Sequence, residues 1–151
     1  MRALGPSQRP YGPMMLVALQ ILILAVGAYV LVVGLVYLGQ RCLMYHPGGV
    51  AGAPADAGLP DAAAVRVTTA DGFEIQSWYI APQSGRPVLL YLHGNAGTIA
   101  DRAFKARLFV RQGIGVMLAE YRGYGGNPGD PTEAGLYADA RANLAWLAHR
   151  G

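Results

Sequence analysis

The chain contains an uninterrupted run of 25 residues without a charged side chain, from Met14 to Leu38. A helix rises about 1.5 Å per residue, so this run is long enough to cross the hydrocarbon layer of a membrane, which is roughly 30 Å thick. A cleaved signal peptide is the alternative, but its apolar core is only about 7 to 15 residues long and precedes a small-residue cleavage site. Residues 39–42, GQRC, are a poor cleavage site, and Cys42 follows an arginine, unlike a lipoprotein cysteine. We therefore predict one uncleaved transmembrane helix over residues 14–38, with the lipid bilayer as its partner.

The charges that flank this helix predict its orientation. Arg2 and Arg9 precede it together with the terminal amine, whereas only Arg41 follows it closely. Positively charged flanks stay in the cytosol, so residues 1–13 are expected to form a cytosolic segment. The remainder then faces the periplasm or the outside. Arg outnumbers Lys eleven to one, which indicates a GC-rich bacterial genome and hence a periplasm.

Composition excludes several kinds of site. The net charge of +3 is too small to favour a nucleic-acid groove. The single cysteine excludes an internal disulfide and a Cys-based zinc cluster. The glycines after residue 122 do not match a dinucleotide fingerprint, because the sixth position from Gly123 is Pro128, and the chain lacks the G-K-[ST] of a phosphate loop. We expect no nucleic-acid partner, no metal and no cofactor.

Residues 39–64 form a juxtamembrane segment that passes into a stretch rich in Gly, Pro and Ala. From Pro47 to Ala64 this stretch has two aspartates and no amphipathic period. Such a composition is typical of a tether. The alternative is an Ala-rich loop that lies on the following domain.

Residues 65–151 have the pattern of an α/β domain. Two β-rich runs flank Ala70-Asp71-Gly72, which is typical of a hairpin, and two nearly all-apolar runs are typical of strands covered on both faces. A helical pattern follows each apolar run, so the order predicts parallel strands joined by right-handed crossovers. The predicted elements are strands at Val65–Thr69, Phe73–Ile80, Pro87–Leu92 and Gly115–Tyr121, and helices over Thr98–Gln112 and from Asp130 to near Gly151.

Local features support both helices. In the first, Asp101 and Lys105 are spaced as an i,i+4 pair, and Gly113 provides the C-terminal stop. In the second, Asp130 and Glu133 form a capping box with Pro131 at the first helical position. The predicted inward stripes are Ile99, Ala103, Ala106 and Val110 in the first helix, and Leu136, Ala140, Leu144 and Leu147 in the second.

Two segments follow the apolar strands, at the sheet edge where ligands bind in open α/β folds. The first, HGNAG at residues 93–97, has small residues that leave backbone N–H groups unhindered near a helix N-terminus, as an oxyanion hole requires. The alternative is a glycine-rich connection in which His93 is merely hydrogen-bonded in place. The second segment covers residues 121–129. Arg122 within it is either a substrate cation or, by default, a structural anchor of the loop.

These segments together resemble the alpha/beta-hydrolase superfamily, specifically its membrane-anchored Bem46-like and ABHD13-like branch. The resemblance is carried by RCLMYHP after the helix, PVLLYLHGNAG at residues 87–97 and AEYRGYGGNPGDPTEAGLYADA at residues 119–140. It implies the N-terminal half of the hydrolase three-layer sandwich, a β-hairpin followed by parallel βαβα, preceded by one transmembrane helix. Asn127 stands where the branch usually has Ser, at a position outside the catalytic three.

The resemblance also implies site residues. The backbone N–H of Asn95 would be the first oxyanion-hole donor. Around it, His93, Gly94, Ala96 and Gly97 would support the oxyanion loop. The positions implied to orient the second loop or the substrate are Tyr121, Arg122, Gly123, Tyr124 and Gly125.

The chain lacks the other catalytic groups that the superfamily uses. Its serines are Ser7, Ser77 and Ser84, and none stands in G-x-S-x-G. We expect residues 65–151 to be a partial domain without nucleophile, acid or base, and therefore inactive as given. The complete enzyme would be a membrane-anchored serine hydrolase of esters, thioesters or amides, with a lipid-like acyl substrate. The alternatives are a non-catalytic, membrane-tethered interaction module and a bare membrane anchor.

Overall fold

The computed structural model describes residues 11–150, so residues 1–10 of the predicted cytosolic segment lie outside the described residues. The chain divides into two compact units, Met1–Gln40 and Arg41–Gly151. Helix α1 spans Tyr11–Met44 and is longer at both ends than the predicted span of residues 14–38. Its apolar side chains are exposed, and by length and composition α1 is a candidate membrane span.

Within residues 41–150 the second unit is an α/β domain. Its elements are β1 (His46–Pro47), β2 (Ala63–Thr68), β3 (Glu74–Ile80), β4 (Val88–Leu92), β5 (Ala96–Gly97), a 3-10 helix (Ile99–Arg102), α2 (Ala103–Val110), β6 (Gly115–Ala119) and α3 (Glu133–Ala148). A four-stranded sheet has the order β2-β3-β6-β4. The predicted hairpin is confirmed, since β2 and β3 pair antiparallel and Gly72 has φ +87° in the turn.

The parallel pairing predicted from the strand-helix-strand order is also confirmed. β4 and β6 run parallel, with Leu92 opposite Ala119 at their carboxyl ends. The two candidate loops therefore leave the sheet side by side. β6 is buried throughout because it has a neighbour on each side. β4, predicted to be covered on both faces, is half-buried at a sheet edge among the described strands, and its Leu92 is 45% exposed.

The first predicted helix is divided in two. A 3-10 turn precedes α2, and the carboxylate of Asp101 accepts the main-chain N–H of Thr98 at 2.8 Å. Asp101 therefore serves the local cap, and the predicted pair with Lys105 does not form; Lys105 contacts the Tyr91 hydroxyl at 3.0 Å instead. The predicted stripe is confirmed at Ile99, Ala103 and Ala106, which are buried, and at Val110, which is partly buried.

Helix α3 differs from the prediction in its cap and in its buried face. Its N-cap is Thr132, whose Oγ1 accepts the Gly135 N–H at 3.0 Å, so Asp130 and Pro131 precede the helix. The buried residues are Gly135, Asp139 and Asn143. Of the predicted apolar stripe, Leu144 is 58% exposed, whereas Leu136, Ala140 and Leu147 are only partly buried. The helix packs against Arg122 through a small residue, Gly135, and a paired carboxylate, that of Asp139, which apolar periodicity does not reveal.

The segment predicted as a tether packs on the domain, as the alternative interpretation described. Ala51 and Leu59 belong to the hydrophobic core with Trp78 and Ile80 of β3. The Ala51 N–H donates to the Gly125 carbonyl at 3.1 Å. Three buried apolar residues, Ala51, Pro54 and Leu59, and backbone hydrogen bonds order a stretch that has no periodicity.

This packing predicts a measurable contribution to stability. We expect Leu59→Ala to lower the free energy of unfolding by about 2 kcal/mol, in the lower part of the range for buried leucines because a surface segment can close over the cavity. The matched control is Val50→Ala in the same segment, where the side chain is 81% exposed and the change should stay within about 0.5 kcal/mol. Denaturant unfolding of the full chain, followed by tryptophan fluorescence, measures both. Equal effects of the two substitutions would show that the segment does not pack as described.

Candidate active site

The loop of residues 93–97 lies between the carboxyl end of β4 and the 3-10 helix. Its last two residues form β5, which pairs parallel with β1 of the juxtamembrane segment. The His46 N–H donates to the Asn95 carbonyl at 2.8 Å, and the Asn95 side-chain amide donates to the Met44 carbonyl at 2.7 Å. The end of α1 and the segment that follows it therefore hold the loop from one side.

A buried contact between His93 and Glu120 holds the loop from the other side. Nε2 of His93 lies 2.5 Å from Oε1 of Glu120, and the two side chains are 0% and 1% exposed. Oε2 of Glu120 accepts the Ile99 N–H at 3.0 Å. Glu120 is a site residue that the sequence motifs did not predict. The available signal was a charged residue in an otherwise apolar strand pattern, because a buried carboxylate requires a partner.

Two tyrosines from the second loop also contact the first. The Tyr121 hydroxyl donates to the His93 carbonyl at 3.3 Å, and the Tyr124 hydroxyl donates to the Asn95 carbonyl at 2.9 Å. Burial, and then the charge of Glu120, raise the pKa of Tyr121 to about 12; burial also raises the pKa of Tyr124. Both phenols therefore remain neutral hydrogen-bond donors at physiological pH.

The carbonyl of Asn95 is thus occupied, whereas its N–H is free. Among residues 11–150, no backbone or side-chain group accepts the Asn95 N–H, and both Gly94 and Asn95 are exposed. An N–H in this state can donate to an oxyanion. The role of Asn95 as oxyanion donor, with Ala96 and Gly97 as supports, remains a prediction, and this geometry is compatible with it.

Arg122 lies in a different arrangement. Its guanidinium contacts Asp139 of α3 at 2.8 Å and Asp71 of the hairpin turn at 2.6 Å, and it stacks on Phe73 at 4.5 Å. Its side chain is 6% exposed. Hydrogen bonds from Arg122 hold the pKa of the Asp71 carboxyl well below its usual range. These contacts are those of a structural anchor.

Two glycines and Asn127 determine the conformation of the second loop. Gly123 and Gly125 have positive φ, and a Cβ at Gly125 would overlap the Glu120 carboxylate. The Asn127 side chain hydrogen-bonds the main chain of Gln76, accepting its N–H at 2.8 Å and donating to its carbonyl at 3.2 Å, and so attaches the loop to β3.

The described residues offer no further catalytic constellation. Ser77 is buried, and its Oγ accepts the Glu120 N–H at 3.1 Å, so it is not available as a nucleophile. Between residues 11 and 150, no group of three His, Cys, Asp or Glu side chains is placed to hold a metal ion. The arrangement therefore leaves the Asn95 N–H as a donor without a partner among residues 11–150, and the buried Ser77 is not free to attack.

Known proteins are similar to this chain in sequence, and solved structures are similar to it in fold. Over 122 residues the chain is 43% identical to the uncharacterized protein Rv2307c of Mycobacterium tuberculosis, covering 78% of this chain and 42% of the relative. It is 32% identical over 124 residues to the protein bem46 of Schizosaccharomyces pombe, covering 76% and 41%. It is 40% identical over 76 residues to the lysophosphatidylserine lipase ABHD12 of Danio rerio, covering 48% and 20%. An esterase of Pyrococcus furiosus superposes with a TM-score of 0.57 and 25% identity, covering 70% of this chain and 42% of the esterase.

The chain belongs to the alpha/beta-hydrolase superfamily. No family model matches it. Its similarity to bem46 and ABHD12 agrees with the Bem46-like branch, and the matched part is the N-terminal portion of the hydrolase domain. The chain spans less than half the length of these relatives.

Proposed function

We propose that this alpha/beta hydrolase chain supplies the membrane anchor and the oxyanion loop of a serine hydrolase that cleaves acyl esters, thioesters or amides. One observation carries the proposal: at the carboxyl end of β4, Asn95 is an exposed residue whose main-chain N–H has no acceptor among residues 11–150. The carbonyl groups of His93 and Asn95 accept from Tyr121, Tyr124 and His46, so the Asn95 N–H is left as a donor beside carbonyls that are already bound.

In this mechanism the loop stabilises charge and does not attack. The Asn95 N–H binds the oxygen of a tetrahedral intermediate, which lowers the barrier to acyl transfer. The nucleophile would come from a G-x-S-x-G motif, which this chain does not contain, and the acid and base from residues that follow that motif. We expect no turnover by the chain alone.

A lipid-like acyl substrate is supported by two observations. Helix α1 is a candidate membrane span, and a bilayer concentrates amphipathic substrates beside an anchored domain. The relative ABHD12 is named a lysophosphatidylserine lipase. With the N-terminus in the cytosol, as the flanking charges predict, the domain would face the periplasm or the outside.

A chimera tests the proposal. The full chain is joined at Gly151 to the part of the Mycobacterium tuberculosis relative that follows its matched segment. We expect the chimera to react with a fluorophosphonate probe and to hydrolyse p-nitrophenyl butyrate at least about 100-fold faster than the unjoined chain, a small part of typical enzymatic acceleration. Replacing the labelled serine by alanine should abolish both.

A pair of substitutions then tests the donor itself. Asn95→Pro removes the backbone N–H, and we expect it to lower kcat by about 10²- to 10³-fold, the usual effect of losing an oxyanion donor. Asn95→Ala retains the N–H and is the matched control. A folded chimera that neither labels nor turns over, while the full-length relative does both, would contradict the proposal and favour the non-catalytic module.

A further inference from the structure

We propose that Glu120 is a positioning residue that aims the Asn95 N–H through the imidazole of His93. The inference rests on the proposed function, because the N–H matters only if an oxyanion binds there. Two contacts and one peptide plane connect Glu120 to this N–H. The Glu120 carboxylate holds the His93 ring, the ring holds the Gly94 carbonyl, and the planar peptide between Gly94 and Asn95 fixes the N–H direction relative to that carbonyl.

The peptide plane is the final part. Nδ1 of His93 lies 2.7 Å from the carbonyl oxygen of Gly94. A carbonyl oxygen only accepts, so Nδ1 carries the proton of this hydrogen bond. The Gly94 carbonyl and the Asn95 N–H belong to one planar unit, and the described chain has no cis peptide bond. When the carbonyl is held towards the buried ring, the N–H must point the opposite way, towards solvent.

Glu120 fixes the ring that does this. Its Oε1 contacts Nε2 of His93 at 2.5 Å, and its Oε2 accepts the N–H of Ile99, so one carboxylate holds both ends of residues 94–98. Gly125 provides the space that the carboxylate occupies. A rigid carboxylate therefore defines the ring orientation as well as the beginning of the following helix.

The hydrogen-bond pattern predicts which substitution of Glu120 preserves its contacts with His93 and Ile99. The proton on Nδ1 is used in the hydrogen bond to the Gly94 carbonyl. The hydrogen bond between Nε2 of His93 and Oε1 of Glu120 therefore requires a second proton, carried by one of these two atoms. A glutamine amide can supply that proton to a neutral Nε2 and can still accept from Ile99 through its oxygen. Glu120→Gln should therefore retain the geometry, whereas Glu120→Ala removes both contacts, and Glu120→Asp withdraws the carboxylate by one methylene.

Nuclear magnetic resonance of the full chain in lipid nanodiscs tests the orientation of the Asn95 N–H directly. In the unsubstituted chain we expect the His93 nitrogen shifts to show a protonated Nδ1, and the Asn95 N–H residual dipolar coupling to be that of an ordered vector. Glu120→Ala should at least halve this coupling and accelerate exchange at the Ile99 amide, without changing the couplings of β6. Glu120→Gln should restore both. Glu74→Ala, which removes an exposed carboxylate from β3, is the control.

The chimera supplies the kinetic readout. We expect Glu120→Ala to lower kcat, counted per fluorophosphonate-labelled site, by roughly 10-fold or more with KM within about twofold, since a misaimed donor is less harmful than a missing one. Glu120→Gln should retain most of the kcat of the unsubstituted chimera.

Failure of the positioning inference and failure of the proposed function give different results. An unprotonated Nδ1 in the unsubstituted chain, or an Asn95 coupling unchanged in folded Glu120→Ala and Glu120→Asp variants, would overturn the role of Glu120 even if the chimera is active. An inactive chimera with an ordered, Glu120-dependent Asn95 amide would reject the hydrolase function alone.

Discussion

Replacing Arg122 by alanine is expected to lower the free energy of unfolding by about 3–5 kcal/mol. The reason is the partner that remains. Asp139 on α3 is fully buried, and three of its hydrogen bonds come from the Arg122 guanidinium. Without the guanidinium, a desolvated carboxylate keeps only the Arg122 main-chain N–H at 2.9 Å. Denaturant unfolding of the full chain measures the loss, and tryptophan fluorescence reports on the α/β unit because Trp78 and Trp146 both lie in it.

The chain offers a matched control for this substitution. Arg66 also pairs with a carboxylate, that of Glu74 at 3.2 Å, but the two side chains are 75% and 59% exposed. Arg66→Ala should therefore cost no more than about 1 kcal/mol. Arg122→Lys should fall between the two, because an ammonium cannot bridge Asp71 and Asp139 with paired hydrogen bonds. Equal losses for Arg122→Ala and Arg66→Ala would contradict the anchor role.

The same anchor predicts a dependence on acid. Arg122 lowers the pKa of Asp71 in the folded chain below the ordinary value of 3.8. The ionised form is therefore favoured by folding, and the stabilisation is present above that value and decreases as the pH falls below it. The difference in the free energy of unfolding between the unsubstituted chain and Arg122→Ala should therefore decrease as the pH falls below 3.8.

Substituting Leu144 by glutamate is expected to weaken self-association of the detergent-solubilised full chain, raising its dissociation constant roughly 10- to 100-fold. This factor corresponds to the free energy of burying one leucine side chain. Leu144 lines an apolar groove of about 540 Å³ between α3 and the edge strand β4, with Val88 and Leu90 on the other side. Among the described strands, β4 has a partner only on its β6 side. An open edge beside exposed apolar side chains favours pairing between chains.

Light scattering coupled to size exclusion measures the effect over a concentration series. Ala145→Glu is the control, because Ala145 is exposed on the same helix and does not line the groove. If both glutamates reduce association equally, net charge and not the groove is responsible. A monomer at all concentrations for the unsubstituted chain would refute the prediction.

Features with a local physical cause were predictable from the sequence. Hydrophobic length alone predicted the helix around residues 14–38, Asp-Gly between β-rich runs predicted the hairpin, and alternation of strands and helices predicted the parallel pair β4 and β6. The short motif at residues 93–97 indicated the loop that carries the free N–H of Asn95. The helix, the hairpin and the loop are each encoded by residues that are close together in the sequence, and the order of the elements limits how β4 and β6 can pair, so periodicity and turn chemistry report these features.

Other features depend on partners that come from distant parts of the chain. Glu120 meets His93 across 27 positions, and Arg122 meets Asp71 across 51. Burial of a charge is favourable only when such a partner is present, and no local pattern records its arrival. The same reason explains the polar buried face of α3, the packing of Leu59 and the exposed edge of β4. Apolarity along the chain predicts which side chains can be buried, whereas folding in three dimensions determines which surfaces meet.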